Sequence, residues 1–209
     1  MLRILCYGDS NTWGTDPITH LRYNEKTRFT KLLQNLLGGN SEVIEEGLPA
    51  RTLITDDIKY PKGNRNGSLF VGQCLISHDP LDFVIIMLGT NDIKDKFNVS
   101  LDDIVKGLNE KYINFIKKDL APFLTKIPQI ILIAPSEIKG CLFENFDKAS
   151  EQKSKMFNKI YKKAAIENNC LFISNKKLFV GNDGVHLTQQ SHEKLAKTLF
   201  QIIKKYLIN

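Results

Sequence analysis

The sequence has no run approaching the ~20 consecutive apolar residues of a membrane span, and it has no C-x-x-C pair. The first absence argues against a membrane-spanning chain, and the opening "MLRILCYGDS" is too short in its apolar part to act as a secretory leader. A cytoplasmic location and no membrane partner are therefore expected. The second absence, with four cysteines spread over Cys6, Cys74, Cys141 and Cys170, argues against a structural zinc and a disulfide framework. Reduced, mostly buried thiols are expected instead. Arginine is scarce too, five of 29 basic residues, so the net charge of +6 rests almost wholly on Lys. Pairs such as Lys117-Lys118 and Lys204-Lys205 suit solvated faces. Because Arg carries most bidentate recognition of bases and phosphates, no nucleic-acid partner is expected.

What is present is a chain of 209 residues with 42% hydrophobic content, enough for one sizeable core and short for two. A single domain over 1–209 is expected, with no repeats, low-complexity tracts or linkers. Short apolar, β-branched runs alternate with longer amphipathic ones. The strand candidates are "RILCY", "EVIEE", "FVIIML", "QIILIA" and "CLFIS". The third and fourth are continuously apolar, as strands covered on both faces must be. The helix candidates are "FTKLLQNLL", closed by Gly38-Gly39, then Asp102 to Asp119, Ser150 to Asn168, and Gln189 to Leu207 with Thr188 as N-cap. Alternation of this kind predicts an α/β fold, a three-layer α/β/α sandwich around a mostly parallel five-stranded sheet. Residues 60–68 read as a surface loop, and 136–150 as a longer loop.

Ligands of such sheets bind beyond the carboxyl ends of the strands, and four unusual stretches fall there: Gly8-Asp9-Ser10, Gly47, Gly89-Thr90-Asn91-Asp92, and Asp183 to His186. A serine hydroxyl needs a base to take its proton, and the base needs a third group to orient it. In "NDGVHLT", Asp183 stands three residues before His186, so its carboxylate can fold back onto Nδ1 and leave Nε2 to face Ser10. Oxyanion donors would be the backbone N–H groups of Ser10 and Gly47 and the side-chain amide of Asn91; the bare Cα of Gly47 is expected to admit the substrate. Each of these short patterns is common in ordinary turns. Their combination, in order and at the right strand ends, is what points to catalysis. Trp13 either walls an acyl or aryl pocket or simply covers the core. Arg51 reads as a brace for the loop after Gly47, Asp9 and Asp92 as turn formers, His20 and His78 as loop residues, and His192 as lying on the exposed side of a helix.

The pattern resembles the GDSL-type esterases, the SGNH hydrolases, which carry Ser, Gly, Asn and His in four blocks. Here the blocks are "YGDSNTWG", "EEGLPART", "MLGTND" and "DGVHLT". "EVIEEGLPART" and "CLISHDPLDFVIIMLGTNDIK" are most similar to an arylesterase-like bacterial subgroup. The resemblance implies a flavodoxin-like SGNH fold, Ser10 as nucleophile with Asp183 and His186 as its partners, and Gly47 and Asn91 as oxyanion donors. It further implies short acyl, perhaps aryl, esters as substrates, no metal or organic cofactor, and a homo-oligomer. Asn11 departs from the Leu of the name-giving motif, which bears on local packing rather than on the reaction. Alternatives with the same residues are a carbohydrate O-deacetylase or a thioesterase. A phosphate-binding flavodoxin-like module fits less well, since Pro17 and a long gap separate "GDSNTWGTDP" from the next helix candidate, and a catalytically dead scaffold would be expected to lack one of these residues.

Overall fold

Alternate residues of the first strand face opposite ways, and the whole molecule follows from that. In β1 (Leu2–Gly8), Leu5 and Tyr7 enter one apolar cluster while Ile4 and Cys6 enter another. A strand buried on both faces needs a helical layer on each side. The computed structural model describes residues 1–61, 63–139 and 145–208 and contains a five-stranded sheet ordered β2-β1-β3-β4-β5. Its other strands are β2 (Ser41–Gly47), β3 (Phe83–Met87), β4 (Gln129–Ile133) and β5 (Leu171–Ile173). Every pairing is parallel, so the expected sheet is found in all-parallel form. The strand order reverses at β1, which makes the gap between the ends of β1 and β3 the topological switch point where such sheets bind ligands.

One face is covered by α2 (Phe29–Leu37) and α6 (Gln189–Ile208), whose Phe29, Leu33, Leu195 and Leu199 pack on Ile4, Cys6 and Ile85. Thr188 caps α6 as expected, its Oγ1 accepting the Ser191 N–H at 3.2 Å. The other face carries α3 (Val71–Ser77), α4 (Leu101–Gly107) and α5 (Lys148–Glu167). The short α3 has no counterpart among the sequence expectations. The helix expected over Asp102 to Asp119 divides: from Leu108 to Asp119 the chain continues in wide π-type turns, which turn Leu108, Tyr112, Ile113 and Ile116 inward.

Two expectations are corrected. His192 is not on an exposed helix face but fully buried. Its Nδ1 accepts the Phe29 N–H at 3.2 Å, and its ring stacks on Phe29 and meets Tyr23 edge-on. Burial drives its pKa down to about 3, so this imidazole is a neutral core group that anchors the start of α2. Residues 60–68 are more than a surface loop: Asn66 is buried and pairs with Thr52 across a parallel bridge. Of the cysteines, Cys6, Cys74 and Cys170 are free thiols, and burial pushes each of them above the usual thiol range. Cys141, with 140–144 of the expected 136–150 loop, lies outside the described residues. Among the described residues no helix is long and apolar enough to cross a membrane.

Candidate active site

Gly8 ends β1, and the chain turns at once into a four-residue helix, α1 (Ser10–Trp13). Asp9 caps it, its side chain accepting the Asn11 N–H at 2.9 Å. Gly14, at φ 90°, closes it by donating its N–H to the Ser10 carbonyl at 2.9 Å. This local chemistry explains why the strand stops so abruptly on a small hydroxyl residue: Ser10 is the first residue of a turn capped at both ends. Burial raises the Asp9 carboxyl to about 6 against the hydrogen bond from Asn11.

The partners arrive from the other end of the chain. Asp183 Oδ1 accepts the backbone N–H groups of Val185 and His186, each at 2.9 Å, and its Oδ2 lies 2.6 Å from His186 Nδ1. His186 Nε2 is in turn 3.0 Å from Ser10 Oγ. Burial works against ionisation of Asp183, yet the hydrogen bonds from the His186 ring and the two N–H groups outweigh it and hold the carboxyl below its usual range. With an ionised carboxylate at Nδ1, the network assigns the ring proton there and leaves Nε2 to accept from the Ser10 hydroxyl. A hydroxyl proton can thus move onto an imidazole whose resulting charge is already compensated.

Asn11, the residue that departs from the name-giving motif, bridges the two halves of this line. Its Oδ1 accepts the Leu187 N–H at 2.8 Å and its Nδ2 donates to the Val185 carbonyl at 3.3 Å. It therefore ties the residue after the serine to both neighbours of the histidine. Sequence reasoning had assigned it packing alone, and the bond spans a separation that no local pattern reveals.

Gly47 ends β2 beside Gly8, and Asn91, in the loop after β3, shares a cleft with Ser10. The reason for glycine at 47 differs from the expected one. A Cβ there would lie 2.2 Å from the Trp13 backbone nitrogen and 2.6 Å from the Thr12 carbonyl carbon, so the missing side chain admits the backbone of α1 rather than the substrate. Asn91 follows Gly89, whose φ of 118° favours glycine. Its Nδ2 donates to the Arg51 carbonyl at 3.0 Å, which uses one of the two amide protons. Arg51 braces the loop after Gly47, donating to the carbonyls of Gly8 and Glu46 and lying over the Tyr7 ring. Asp92 is a loop organiser too: fully buried, it accepts from the N–H groups of Leu53, Ile54 and Thr55.

Ser10, Asn91 and His186 open onto one cleft of about 730 Å³, with Trp13 on its wall. Arg22 holds Trp13 by bonding its carbonyl at 2.8 Å and lying over its ring. His20, expected to be an ordinary loop residue, lines the same cleft with its ring 6.5 Å from that of His186. His20, Asp183 and His186 could offer ligand atoms to an ion, although an ion there would compete with His186 for the Asp183 carboxylate. Tyr60, Lys94 and Phe146 also face the cleft. No motif singles them out, since they come from three separate loops.

A model of the GDSL-like lipase/acylhydrolase family matches residues 6–194. Among solved structures, the aryl esterase of M. smegmatis is 31% identical and superposes with a TM-score of 0.88, covering 98% of this chain and 99% of its own. A carbohydrate acetylesterase from Sinorhizobium meliloti is also 31% identical, with a TM-score of 0.90 over 99% of this chain and 100% of its own. No curated protein matches. With this family match over most of its length and this shared fold, the chain belongs to the GDSL-like lipase/acylhydrolase family and is a carboxylic ester hydrolase of the SGNH type.

Proposed function

We propose that the chain is a serine esterase that hydrolyses short-chain acyl esters of aryl or sugar alcohols through an acyl-enzyme. The observation that carries this reading is the unbroken hydrogen-bonded line from Ser10 Oγ through His186 to Asp183, at the strand ends beside the switch point. Ser10 Oγ attacks the ester carbonyl while its proton passes to His186 Nε2. The tetrahedral oxyanion accepts from the Ser10 and Gly47 N–H groups and the Asn91 amide. His186 then returns the proton to the departing alkoxide, leaving an acyl group on Ser10. Water attacks that ester with His186 again as base, and the carboxylic acid and free Ser10 are released. Asp183 keeps the imidazole in the required tautomer throughout.

The carbohydrate acetylesterase among the similar structures supports a small acyl group, and with the aryl esterase it leaves two kinds of alcohol in contention. A panel of p-nitrophenyl esters of increasing acyl length, run beside acetylated sugars and acyl thioesters, tests the reading. Turnover is expected to be greatest for the shortest acyl groups and to fall steadily as the chain lengthens. A protein that hydrolyses thioesters and spares oxygen esters, or one that favours long acyl chains, would contradict it.

A further inference from the structure

The cleft that holds Ser10 and His186 has a basic lining. Lys59, Lys94 and Lys96 line it, and Asp57 is the one carboxylate among the residues that do. Asp57, itself buried, is taken by Lys96, whose Nζ lies 2.8 Å from Asp57 Oδ2. Lys94 has no carboxylate within ion-pair distance among the described residues. Its ammonium lies 5.6 Å from the centre of the Phe146 ring, a contact that holds a cation in place without neutralising it. A half-buried cation in this position, three residues beyond Asn91, is an unusual feature for a site that takes only neutral esters.

Resting on the esterase reading above, we propose that the cleft selects esters of anionic alcohols, with Lys94, assisted by Lys59, binding a carboxylate or phosphate carried by the leaving group. The charge is assigned to the alcohol because a short acyl group such as acetyl carries no ionisable group. Burial, aided by the neighbouring Lys96 charge, pulls the Lys94 ammonium below its usual range, against the opposing pull of Asp57, Asp9 and Asp92. A bound anion would offset the cost of keeping this ammonium half-buried.

The test compares para-acetoxybenzoate and para-acetoxyphenyl phosphate with the neutral para-acetoxybenzamide. Binding is measured by NMR titration in the Ser10→Ala background, where no turnover can occur. The anionic esters are expected to bind about five- to tenfold tighter than the amide, between the effect of an exposed ion pair and that of a charge-assisted hydrogen bond, and the difference should shrink with added salt. Adding Lys94→Gln should bring the ratio close to one. Lys163→Gln, which makes the same change in net charge at an exposed position of α5, should leave the ratio as it was. Which anion binds better decides between carboxylate and phosphate. Equal affinity for charged and neutral esters, or a preference that survives Lys94→Gln, would overturn the proposal. Hydrolysis of the neutral amide by the unaltered protein is scored separately, so a failed esterase reading and a failed anion site give different results.

Discussion

Replacing Asp183 by Asn is expected to lower kcat by ~10⁴-fold while KM changes little. The two residues have nearly the same shape, so the loss would come from protons rather than from packing. Asp183 Oδ2 accepts from His186 Nδ1 at 2.6 Å. An Asn in its place would present an N–H to Nδ1, drive the ring proton to Nε2, and leave the nitrogen 3.0 Å from Ser10 Oγ holding a proton where it should accept one. Asp183 Oδ1 also organises the turn by accepting from Val185 and His186, a task the Asn carbonyl can still perform. The variant should therefore stay folded. Steady-state kinetics on a preparation checked by circular dichroism reads the effect. A folded Asp183→Asn protein with a kcat within about tenfold of the original would mean that some other group orients His186.

Asn91→Ala is expected to lower kcat by ~10² to 10³, about 2.7 to 4 kcal/mol, again with little change in KM. The Asn91 amide donates one proton to the Arg51 carbonyl and has a second for the oxyanion, a bond that strengthens as charge develops on that oxygen. If the first bond were its whole role, the substitution would act on the loop alone. Thermal unfolding would fall while the folded fraction kept nearly full kcat. Measuring kcat, KM and the unfolding midpoint on one preparation separates the two roles, and a stable Asn91→Ala protein with near-normal kcat would remove Asn91 from the oxyanion site.

The parts of the molecule visible in the sequence are those set by local chemistry or by repeated burial. Continuous apolar runs such as "FVIIML" are required of strands covered on both faces. The Gly-Asp-Ser turn announces itself because Asp9 caps a helix that Ser10 begins. Asp183 and His186, three residues apart, close a turn in which the carboxylate bonds the imidazole and the N–H groups of Val185 and His186. What the sequence conceals depends on distant partners. His192 sits at a position that reads as exposed, yet Tyr23 and Phe29 enclose it, and neither is near it in the chain. Asn11 looks like a substitution within a motif until the loop around His186 is folded against it. The need for glycine at 47 is hidden as well, because the close approach of the Trp13 backbone appears only when β2 and α1 lie side by side. The lysines of the cleft are likewise ordinary surface residues in sequence, and only folding sets Lys94 beside Phe146 with Asp57 already occupied.

The central claim is that Ser10 is the nucleophile, and the most direct measurement is active-site labelling with a fluorophosphonate followed by peptide mass spectrometry. An activated hydroxyl attacks phosphorus as it attacks a carbonyl, displacing fluoride and forming a stable phosphonyl ester. The account predicts a single adduct on the peptide containing Ser10, formed in step with loss of esterase activity and absent from Ser10→Ala. Labelling at another residue, or none on a protein that continues to hydrolyse esters, would contradict it.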